Sequence, residues 1–440
     1  MLNGGYIRVN MQLFGTSGIR RVADQELIQL ALEVGLAVGR AYPNVVVSCD
    51  TRTSSQAIKH ALLSGLLSAG SRCCDAGVIP LPTLAYVARE FDAGAMITAS
   101  HNPPQYNGIK LLNPDGSAFD SSQRREIEEM VSDDSLAAAP WDKIKGGDIY
   151  EGATGEHIAG ILRHFPAGLK LKVVVDSCCG AASLVTPELL RKLGCEVVAL
   201  NCYPSGFLPH NIEPTEANLG DLMQATTELG ADLGIAHDGD ADRMMAVDDS
   251  GRFIAGDRLL AIFAREVGAK EIVTTVDASM SIDEVGFRVT RTKVGDTYVS
   301  EELKKGGDFG GEPSGCWIFP GISLCPDGIY AAAQITAIAS RQKLSQLVDS
   351  IPHYPILRGS TGSQGVAVSD LEKHLLAMKP LSVSNIDGIR LDFDDGWLLI
   401  RASGTEPKIR VTAEARSEAR VHQLYDGALK AIKDCMEEKV

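Results

Sequence analysis

The sequence lacks the features that mark membrane and exported proteins. No apolar run approaches the roughly 18 residues of a membrane-spanning helix, and the N-terminus has no apolar signal-peptide core. The ten cysteines include no C-x-x-C pair and are scattered, which fits neither a disulfide framework nor a zinc site. We therefore expect a cytoplasmic protein whose cysteines are reduced and mostly buried.

Positive charge is also scarce. Among 440 residues, 42 Lys and Arg face 57 Asp and Glu, which gives a net charge of −15. Such a surface repels nucleic acids and anionic membranes, so neither is an expected partner. Hydrophobic residues make up 45% and charged residues 22%, and these ordinary globular values exclude wholesale disorder. The length predicts about two to four domains.

Three stretches repeat one pattern, in which a β-branched run leads through a small-residue turn into a helix and a second apolar run. The runs that open them are Val45–Cys49, Val173–Val175 and Ile272–Val276. Strands with little polar alternation that feed helices are typical of parallel strands buried on both faces. A spacing of roughly 100 residues predicts three related α/β domains rather than one large sheet.

A fourth unit differs from these three. Strands such as Trp397–Ile400 and Ile409–Thr412 precede a helix that begins at Glu418, which predicts a smaller α+β domain. The segment Ala137–Gly155 is rich in small and polar residues and is predicted to be the first linker. The expected domains are residues 1–150, 151–250, 251–352 and 353–440.

A hydroxyl-rich turn follows one of the apolar runs. The segment Thr98–Pro103 reads T-A-S-H-N-P and can present Ser100 Oγ at the carboxyl end of a strand, where ligands bind in open α/β sheets. A free serine is a poor nucleophile, so it needs activation or must already carry a phosphoryl group. The alternative is a turn in which Ser and Asn side chains only cap backbone groups.

An acidic loop, Asp238–Arg243, reads D-G-D-A-D-R. Its three carboxylates, Asp238, Asp240 and Asp242, can converge on a hard divalent cation. An EF-hand is excluded, because its Gly and Glu positions hold Arg243 and Asp249. Mg²⁺ completed by a phosphate oxygen and waters fits better. The alternative is a solvated acidic turn, in which three unpaired carboxylates would repel one another.

Two further loops carry polar groups suited to a sugar phosphate. Gly310–Gly315 contains Glu312 and Ser314, which can bond vicinal sugar hydroxyls, although an ordinary loop is the alternative. Arg401–Arg410 contains two arginines, hydroxyls and a glycine turn, a combination that grips phosphate. Its alternative is a capped turn with surface arginines.

Taken in order, Thr98–Pro103, Asp238–Arg243, Glu312–Gly315 and Arg401–Pro407 resemble the four active-site loops of the α-D-phosphohexomutase superfamily. The resemblance covers essentially the whole chain, with one signature in each predicted domain. It implies an α/β protein of four domains around a central cleft, the first three with a related mixed-sheet topology. The opening Phe14–Arg20, F-G-T-S-G-I-R, resembles that of the phosphoglucosamine mutases in this superfamily.

The resemblance also implies the chemistry. Ser100 would be a phosphoserine, and together with Asp238, Asp240 and Asp242 it would hold one Mg²⁺ per chain. At the reaction centre the resemblance implies Arg20, Lys110 and Arg243, with His101 as a candidate acid/base. Glu312 and Ser314 would contact the sugar. The non-reacting phosphate would be held by Arg401, Ser403, Gly404, Thr405 and Arg410.

The implied reaction interconverts a hexose 6-phosphate and a hexose 1-phosphate through a hexose 1,6-bisphosphate, which also serves as activator. Glucosamine phosphate is the favoured substrate, ahead of mannose and glucose phosphates, and the chain is expected to be a monomer or homodimer. Two rivals remain. One is a Mg²⁺-dependent phosphatase with Asp238 and Asp240 as nucleophile and acid, which leaves Ser100 and the Arg401–Arg410 loop unexplained. The other is a non-catalytic sugar-phosphate binder.

One position departs from the family pattern. Family members commonly carry His directly after the glycine of the sugar loop, and here that residue is Cys316. The group that transfers the proton is therefore left open. A thiol with an ordinary pKa of about 8.5 is one candidate. Lys110 is another, provided that a cationic cleft lowers its pKa, and His101 and His237 flank the key loops.

Overall fold

The computed structural model describes residues 12–133, 135–363, 365–402 and 408–438. Within these residues the strands form four sheets that follow one another along the chain. The first three combine parallel and antiparallel neighbours, whereas the fourth is antiparallel throughout. Among the described residues, no helix is both long and apolar enough to cross a membrane. The predicted α/β architecture with a distinct fourth domain is confirmed.

The first domain is built on a sheet with the strand order β1-β5-β4-β2-β3-β6. Its strands are β1 (Ile19–Val22), β2 (Asn44–Cys49), β3 (Arg72–Val78), β4 (Ala93–Ile97), β5 (Tyr106–Leu112) and β6 (Gly147–Ile149), and its helices are α1 (Gln25–Ala41), α2 (Ser55–Ser68), α3 (Leu81–Ala88) and α4 (Ser121–Ser132). β6 lies inside the segment interpreted as a linker and pairs in parallel with β3, so part of that segment belongs to the first sheet.

The valines of β2 show why this sheet is buried on both faces. Val45 and Val47 pack in the cluster that contains Leu27 of α1 and Leu62 of α2. Val46 points to the other face and packs in the cluster that includes residues of α3. Because successive side chains of a strand alternate between faces, an uninterrupted apolar run requires cover on both sides.

The second and third domains repeat this layered design. The second has β7 (Lys172–Asp176), β8 (Glu196–Leu200), β9 (Leu233–His237), β10 (Met244–Val247) and β11 (Phe253–Ile254) in the order β11-β10-β9-β7-β8, with α5 (Ala153–Leu162), α6 (Thr186–Lys192) and α7 (Gly220–Glu228). The third has β12 (Glu271–Thr275), β13 (Arg288–Thr292), β14 (Phe309–Gly311) and β15 (Trp317–Ile318) in the order β13-β12-β14-β15, with α8 (Gly256–Glu266), α9 (Asp296–Leu303), α10 (Gly328–Ala339) and α11 (Leu344–Asp349). One continuous apolar core joins the two domains.

The fourth domain has its own core. Its elements are β16 (Ile356–Gly362), β17 (Ser382–Ser384), β18 (Ile389–Phe393), β19 (Gly396–Ala402), β20 (Lys408–Ala415), α12 (Glu372–Leu376) and α13 (Glu418–Glu437), with the strand order β16-β20-β19-β18-β17. A small cluster that includes Val276 and Trp397 connects it to the third domain. Buried Glu414 adds polar contacts there, because it accepts bonds from Met280 N at 2.7 Å and Trp397 Nε1 at 2.5 Å.

Candidate active site

The four domains meet at one cavity of about 1090 Å³. The residues predicted from the sequence that line it are Arg20, Ser100, His101, Asp242, Arg243, Glu312, Ser314, Arg401 and Arg410. Asp238, Asp240 and Lys110 lie buried next to Ser100 and Asp242. Ser403, Gly404 and Thr405 lie outside the described residues. The structure thus brings residues from four sequence-distant loops to one place.

Ser100 lies three residues after the end of β4 and stands at the reacting end of the cavity. Its backbone has φ +50°, a left-handed conformation that is uncommon for a residue with a Cβ and that marks strained functional turns. Its side chain is buried, and Oγ donates a hydrogen bond of 2.6 Å to Asp238 Oδ2. The acidic loop approaches closely because residue 239 is glycine: a Cβ there would lie 2.7 Å from Ser100 O.

A buried arginine that the sequence analysis did not single out for a role holds this loop in place. Arg52 donates from Nη2 to Ser100 O at 2.8 Å and to Asn102 O at 2.6 Å, and from Nη1 to Pro103 O at 2.9 Å. Asp50 Oδ2 accepts from Arg52 Nε at 3.1 Å. The only sequence signal for this role was that two residues of opposite charge, Asp50 and Arg52, follow the apolar run Val45–Cys49. Arg52 is a positioning residue for Ser100.

The three carboxylates of the acidic loop converge as predicted. One oxygen from each of Asp238, Asp240 and Asp242 lies within 4.8 Å of the others, and all three residues are buried. Asp240 Oδ1 and Asp242 Oδ1 are buried without a hydrogen-bond partner among the described residues. Burial and the two neighbouring carboxylates raise the pKa of Asp238 well above its ordinary value. Orphaned carboxylate oxygens around a shared point fit a hard divalent cation such as Mg²⁺.

This arrangement predicts how a substitution in the acidic loop changes the affinity for Mg²⁺. Asp240→Asn is expected to weaken Mg²⁺ binding by about tenfold or more, because it removes one charged ligand. Calorimetric titration of Mg²⁺ into the wild type and the variant measures this. Asp142→Asn, at an exposed residue, is the matched control and should bind as the wild type does. Equal affinity in Asp240→Asn and the wild type would contradict the assignment.

Lys110, on β5, carries the positive charge nearest these carboxylates. Its Nζ donates to Asp240 Oδ2 at 2.8 Å and to Asp242 Oδ2 at 2.6 Å. Burial alone would lower the pKa of Lys110, but Asp240 and Asp242 together outweigh burial and raise it. The condition for Lys110 as a base was a pKa lowered by a cationic cleft, and the surroundings are anionic instead. With Asp240 and Asp242 as its partners, Lys110 is a cation in this arrangement.

Two arginines and a histidine complete the reacting end. Arg20 Nη1 donates to Asn102 Oδ1 at 2.9 Å, and Arg243 Nη1 pairs with Glu213 Oε1 at 3.3 Å. His101 Nδ1 lies 3.2 Å from Ser100 Oγ. Burial, followed by the charges of Arg243 and Arg20, lowers the pKa of His101 to about 2, so its ring is neutral near pH 7.

The other two candidates for proton transfer have pKa values unsuited to the role near pH 7, although Cys316 lines the cavity. Burial and the nearby Asp242 carboxylate raise the pKa of the Cys316 thiol well above its ordinary value, so it stays protonated. His237 is buried between Thr186 Oγ1, at 2.9 Å from its Nε2, and Arg243 O, at 2.9 Å from its Nδ1. Burial lowers the pKa of His237 to about 4. Both of its ring nitrogens are engaged, which indicates a structural role.

The sugar loop forms the third-domain wall of the cavity. Glu312 Oε1 accepts from Gly295 N at 2.7 Å, and Ser314 Oγ donates to Glu312 Oε2 at 3.3 Å. Burial, then the charges of Asp296 and Asp277, raise the pKa of Glu312 to about 7. A carboxylate fixed in this way can accept bonds from the hydroxyls of a ligand.

The far end of the cavity is cationic. Arg401 and Arg410 face each other across the β19–β20 pair, at the base of the loop that joins the two strands. Arg401 Nη2 pairs with Asp387 Oδ2 at 2.8 Å, and the same oxygen accepts from Val294 N at 3.0 Å. Arg358 also lines this end. Three guanidinium groups at one end make an anion site, although the sequence analysis did not predict Arg358 or Asp387.

Comparison with known sequences agrees with this geometry. Residues 11–138, 153–251, 255–354 and 365–431 match, in order, phosphoglucomutase/phosphomannomutase alpha/beta/alpha domains I, II and III and the C-terminal domain. A protein of Methanococcoides burtonii named "Probable phosphoglucosamine mutase" is 48% identical over 97% of this chain and 100% of its own length. One of the same name from Methanocella arvoryzae is 46% identical over 97% and 99%.

Comparison with solved structures gives the same result. The crystal structure of a phosphoglucomutase/phosphomannomutase family protein from Burkholderia thailandensis superimposes with a TM-score of 0.87 and 27% identity, and the match covers 96% of this chain and 97% of that one. The fold, the site geometry and the four matched domains agree. The chain belongs to the phosphoglucomutase/phosphomannomutase family of the α-D-phosphohexomutase superfamily, and it is an isomerase that moves a phosphoryl group within a phosphorylated hexose.

Proposed function

We propose that the chain interconverts glucosamine 6-phosphate and glucosamine 1-phosphate, with Ser100 as the phosphorylated residue and glucosamine 1,6-bisphosphate as the intermediate. The observation that carries the proposal is Ser100 Oγ, 2.6 Å from Asp238 in a three-carboxylate cluster, facing a cavity whose far end holds Arg401 and Arg410. The names of the relatives support glucosamine as the sugar. Glucose and mannose phosphates are the alternatives.

In the proposed first step, a hydroxyl oxygen of the sugar attacks the phosphorus of phosphoserine 100, a new P–O bond forms, and the bond to Ser100 Oγ breaks. Over the step, the attacking hydroxyl loses its proton and Ser100 Oγ gains one. Arg52 and the left-handed backbone at Ser100 hold that oxygen in one place. Lys110, Arg20 and Arg243 are cations around the transferring group, where negative charge must be stabilised. His101 Nδ1 lies 3.2 Å from Ser100 Oγ, but its pKa is lowered to about 2 and its ring is a weak base, so we assign it hydrogen bonding to that oxygen rather than uptake of the proton.

Mg²⁺ would be held by Asp238, Asp240, Asp242 and the phosphate on Ser100, and when bound it would neutralise charge on that phosphate. The protein supplies the rest. Ser314 and Glu312 would orient the sugar through its hydroxyls. Arg401 and Arg410, together with Ser403, Gly404 and Thr405 of the family signature, would hold the phosphate that does not react.

The size of the cavity suits an intermediate that must turn end for end. At about 1090 Å³, it lies just above the range of roughly 300–1,000 Å³ usual for sites that hold one small ligand. A bisphosphate therefore has space to exchange its two phosphates between Ser100 and the far arginines. Those arginines must accept either phosphate, so they are expected to recognise charge and shape rather than ring position.

Phosphorus NMR tests the substrate. The protein would be incubated with Mg²⁺ and trace glucose 1,6-bisphosphate, with glucosamine 6-phosphate, mannose 6-phosphate and glucose 6-phosphate in separate tubes. The proposal predicts the fastest growth of a sugar 1-phosphate signal in the glucosamine tube. Faster conversion of mannose or glucose 6-phosphate would overturn the choice of sugar while leaving the mutase reaction intact.

The pKa of Glu312 predicts a pH dependence of substrate binding. Below about pH 7 the carboxyl is protonated and accepts hydroxyl bonds less well, so the KM of the wild type should rise as the pH falls. The substrate phosphate also titrates in this range. Glu312→Gln shares that titration, so the difference between the two profiles isolates Glu312. Parallel profiles in the two proteins would contradict a substrate contact.

Ionised Glu312 is expected to lower the stability of the folded protein while it serves substrate binding. The pKa of Glu312 is raised from 4.5 to about 7 in the folded state, so its ionisation opposes folding. The free energy of unfolding should therefore fall as the pH rises through this window, with the full effect above pH 7. Glu312→Gln is expected to be more stable by about 2 kcal/mol at pH 8, as measured by denaturant unfolding. Unfolding curves for the two proteins that coincide at pH 8 would refute this.

A further inference from the structure

The third domain presents carboxylates to the cavity that the proposed reaction leaves unused. Asp257, Asp277 and Asp296 line the cavity beside Glu312, and together these four residues are named the carboxylate wall. Within the described part of the chain, none of the four has a Lys, Arg or His at salt-bridge distance. Like charges held together without a cation repel one another, so the wall suits a ligand that brings positive charge.

Asp296 is the member of the wall nearest the reacting end. It is half-buried, and among the described residues the only side chain that donates to its carboxylate is Ser17, whose Oγ lies 2.7 Å from Oδ1. Its charge acts on Lys110 and Asp242. One carboxylate oxygen therefore remains available to a ligand close to the transferring phosphate.

Asp277 stands further toward the fourth domain. It is also half-buried, and Thr275 Oγ1 donates to its Oδ1 at 2.5 Å. Its charge acts on Asp257, whose own surroundings include Arg358 and Glu414 of the fourth domain. Glu312 lies next to the turn that carries Asp296, because its Oε1 accepts a hydrogen bond from Gly295 N at 2.7 Å. The wall thus offers Asp296 beside the opening segment, through Ser17, and Asp277 beside Val276, which packs against Trp397 of the fourth domain.

The turn that carries Asp296 is built against the opening segment Phe14–Arg20. Besides the bond from Ser17, Thr297 Oγ1 donates to Thr16 O at 3.0 Å. Gly295 has φ +140°, and a Cβ there would lie 2.6 Å from Thr16 Cγ2. The segment that resembles the openings of amino-sugar mutases therefore holds Asp296 in position, which gives that segment a physical role at the sugar.

The amine of a 2-amino-2-deoxyhexose phosphate is the group on such a substrate that carries positive charge. A bisphosphate that reacts in two orientations places this group at two different points of the cavity. We propose that Asp296 and Asp277 are the two acceptors for the substrate ammonium group, one in each orientation, and that they set the preference for an amino sugar over glucose. This inference rests on the proposed function and adds the residues that determine its specificity.

Binding affinities of two substrates test the inference. Calorimetry would give Kd for glucosamine 6-phosphate and for glucose 6-phosphate on the unphosphorylated chain, in the wild type, Asp296→Asn and Asp277→Asn. The substrate 6-phosphate samples both orientations when it binds, so each single variant removes one of two binding modes and should weaken glucosamine 6-phosphate by no more than about twofold. The double variant Asp296→Asn/Asp277→Asn removes both acceptors and should weaken it by about tenfold. Glucose 6-phosphate should keep its affinity, which also shows that the variants fold.

Glu216→Gln is the matched control. Glu216 lines the same cavity from the second domain, so this variant removes one negative charge without touching the wall, and it should shift both sugars equally. A Kd ratio unchanged in the double variant would overturn the assignment, and a tenfold change in one single variant alone would overturn its two-position form. Failure of the proposed function is visible separately, because wild-type protein would then convert mannose or glucose 6-phosphate faster than glucosamine 6-phosphate before any variant is made.

Discussion

Ser100→Ala is expected to lower turnover by at least about 1,000-fold, because it removes the atom that carries the phosphoryl group. The same variant should show no phosphorylated species by intact mass, whereas the wild type incubated with glucose 1,6-bisphosphate gains one phosphoryl group. Binding of the sugar phosphate should persist, since Glu312, Arg401 and Arg410 are unchanged. The measurement is steady-state conversion of glucosamine 6-phosphate, combined with mass spectrometry of the protein.

The control for this variant is Ser135→Ala, at an exposed serine far from the cavity lining. It should keep wild-type turnover and wild-type phosphorylation. Substantial turnover in Ser100→Ala, or phosphorylation retained on that protein, would move the reacting group elsewhere. An aspartyl phosphate on Asp238 would then become the first alternative, because its Oδ2 is the nearest carboxylate oxygen to Ser100 Oγ.

Lys110→Ala is expected to lower turnover by about 100- to 1,000-fold, whereas Cys316→Ala should lower it by less than about threefold. Lys110 supplies charge to the buried Asp240 and Asp242, and in the proposed reaction it would also counter charge on the phosphate of Ser100. The thiol of Cys316 stays protonated because its pKa is raised by burial. Both variants would be assayed with saturating Mg²⁺ and glucosamine 6-phosphate.

Removal of Lys110 also leaves buried carboxylates without their cation, which costs stability. Thermal unfolding with and without Mg²⁺ separates this effect from catalysis, because Mg²⁺ should restore most of the lost stability but not the lost turnover. Lys110→Arg is the matched variant that keeps the charge. Equal losses in Lys110→Ala and Cys316→Ala, or a larger loss in the latter, would contradict the assigned roles.

The fold was largely predictable because its strands follow simple rules. Val45–Cys49 and Val173–Val175 lie within β2 and β7, and the predicted terminal helix from Glu418 is α13. Apolar runs of this kind have few alternatives once they are too short to cross a membrane. The strand β6 was missed, since three exposed residues, Gly147–Ile149, carry no apolar signal and are held only by backbone pairing with β3.

The site was predictable where chemistry is concentrated in one loop. Asp238, Asp240 and Asp242 occupy alternate positions of one short loop. Their spacing alone predicts a metal site, and the geometry of the cluster supports it. Arg52 and Asp296 were not predicted, because each gains its role from partners far away in the chain: Arg52 from the Ser100 loop and Asp296 from Ser17. Contacts of this kind follow from tertiary packing, which a local motif does not encode.

The environment of Lys110 shows the same limit in its electrostatics. The sequence places arginines near the predicted reaction centre and suggests a cationic cleft. The fold instead directs Lys110 Nζ between Asp240 and Asp242, so its pKa rises rather than falls. The sign of a pKa shift depends on which charges lie within a few ångströms, and that is a property of packing.

A single-turnover transfer tests the central claim most directly. The protein would be phosphorylated with glucose 1,6-bisphosphate, freed of small molecules, and mixed with Mg²⁺ and one equivalent of glucosamine 6-phosphate. We predict that the phosphoryl group leaves Ser100, as seen by intact mass and peptide mapping, while phosphorus NMR shows a sugar bisphosphate and then glucosamine 1-phosphate. Inorganic phosphate as the only new phosphorus species would contradict the account and favour a phosphatase.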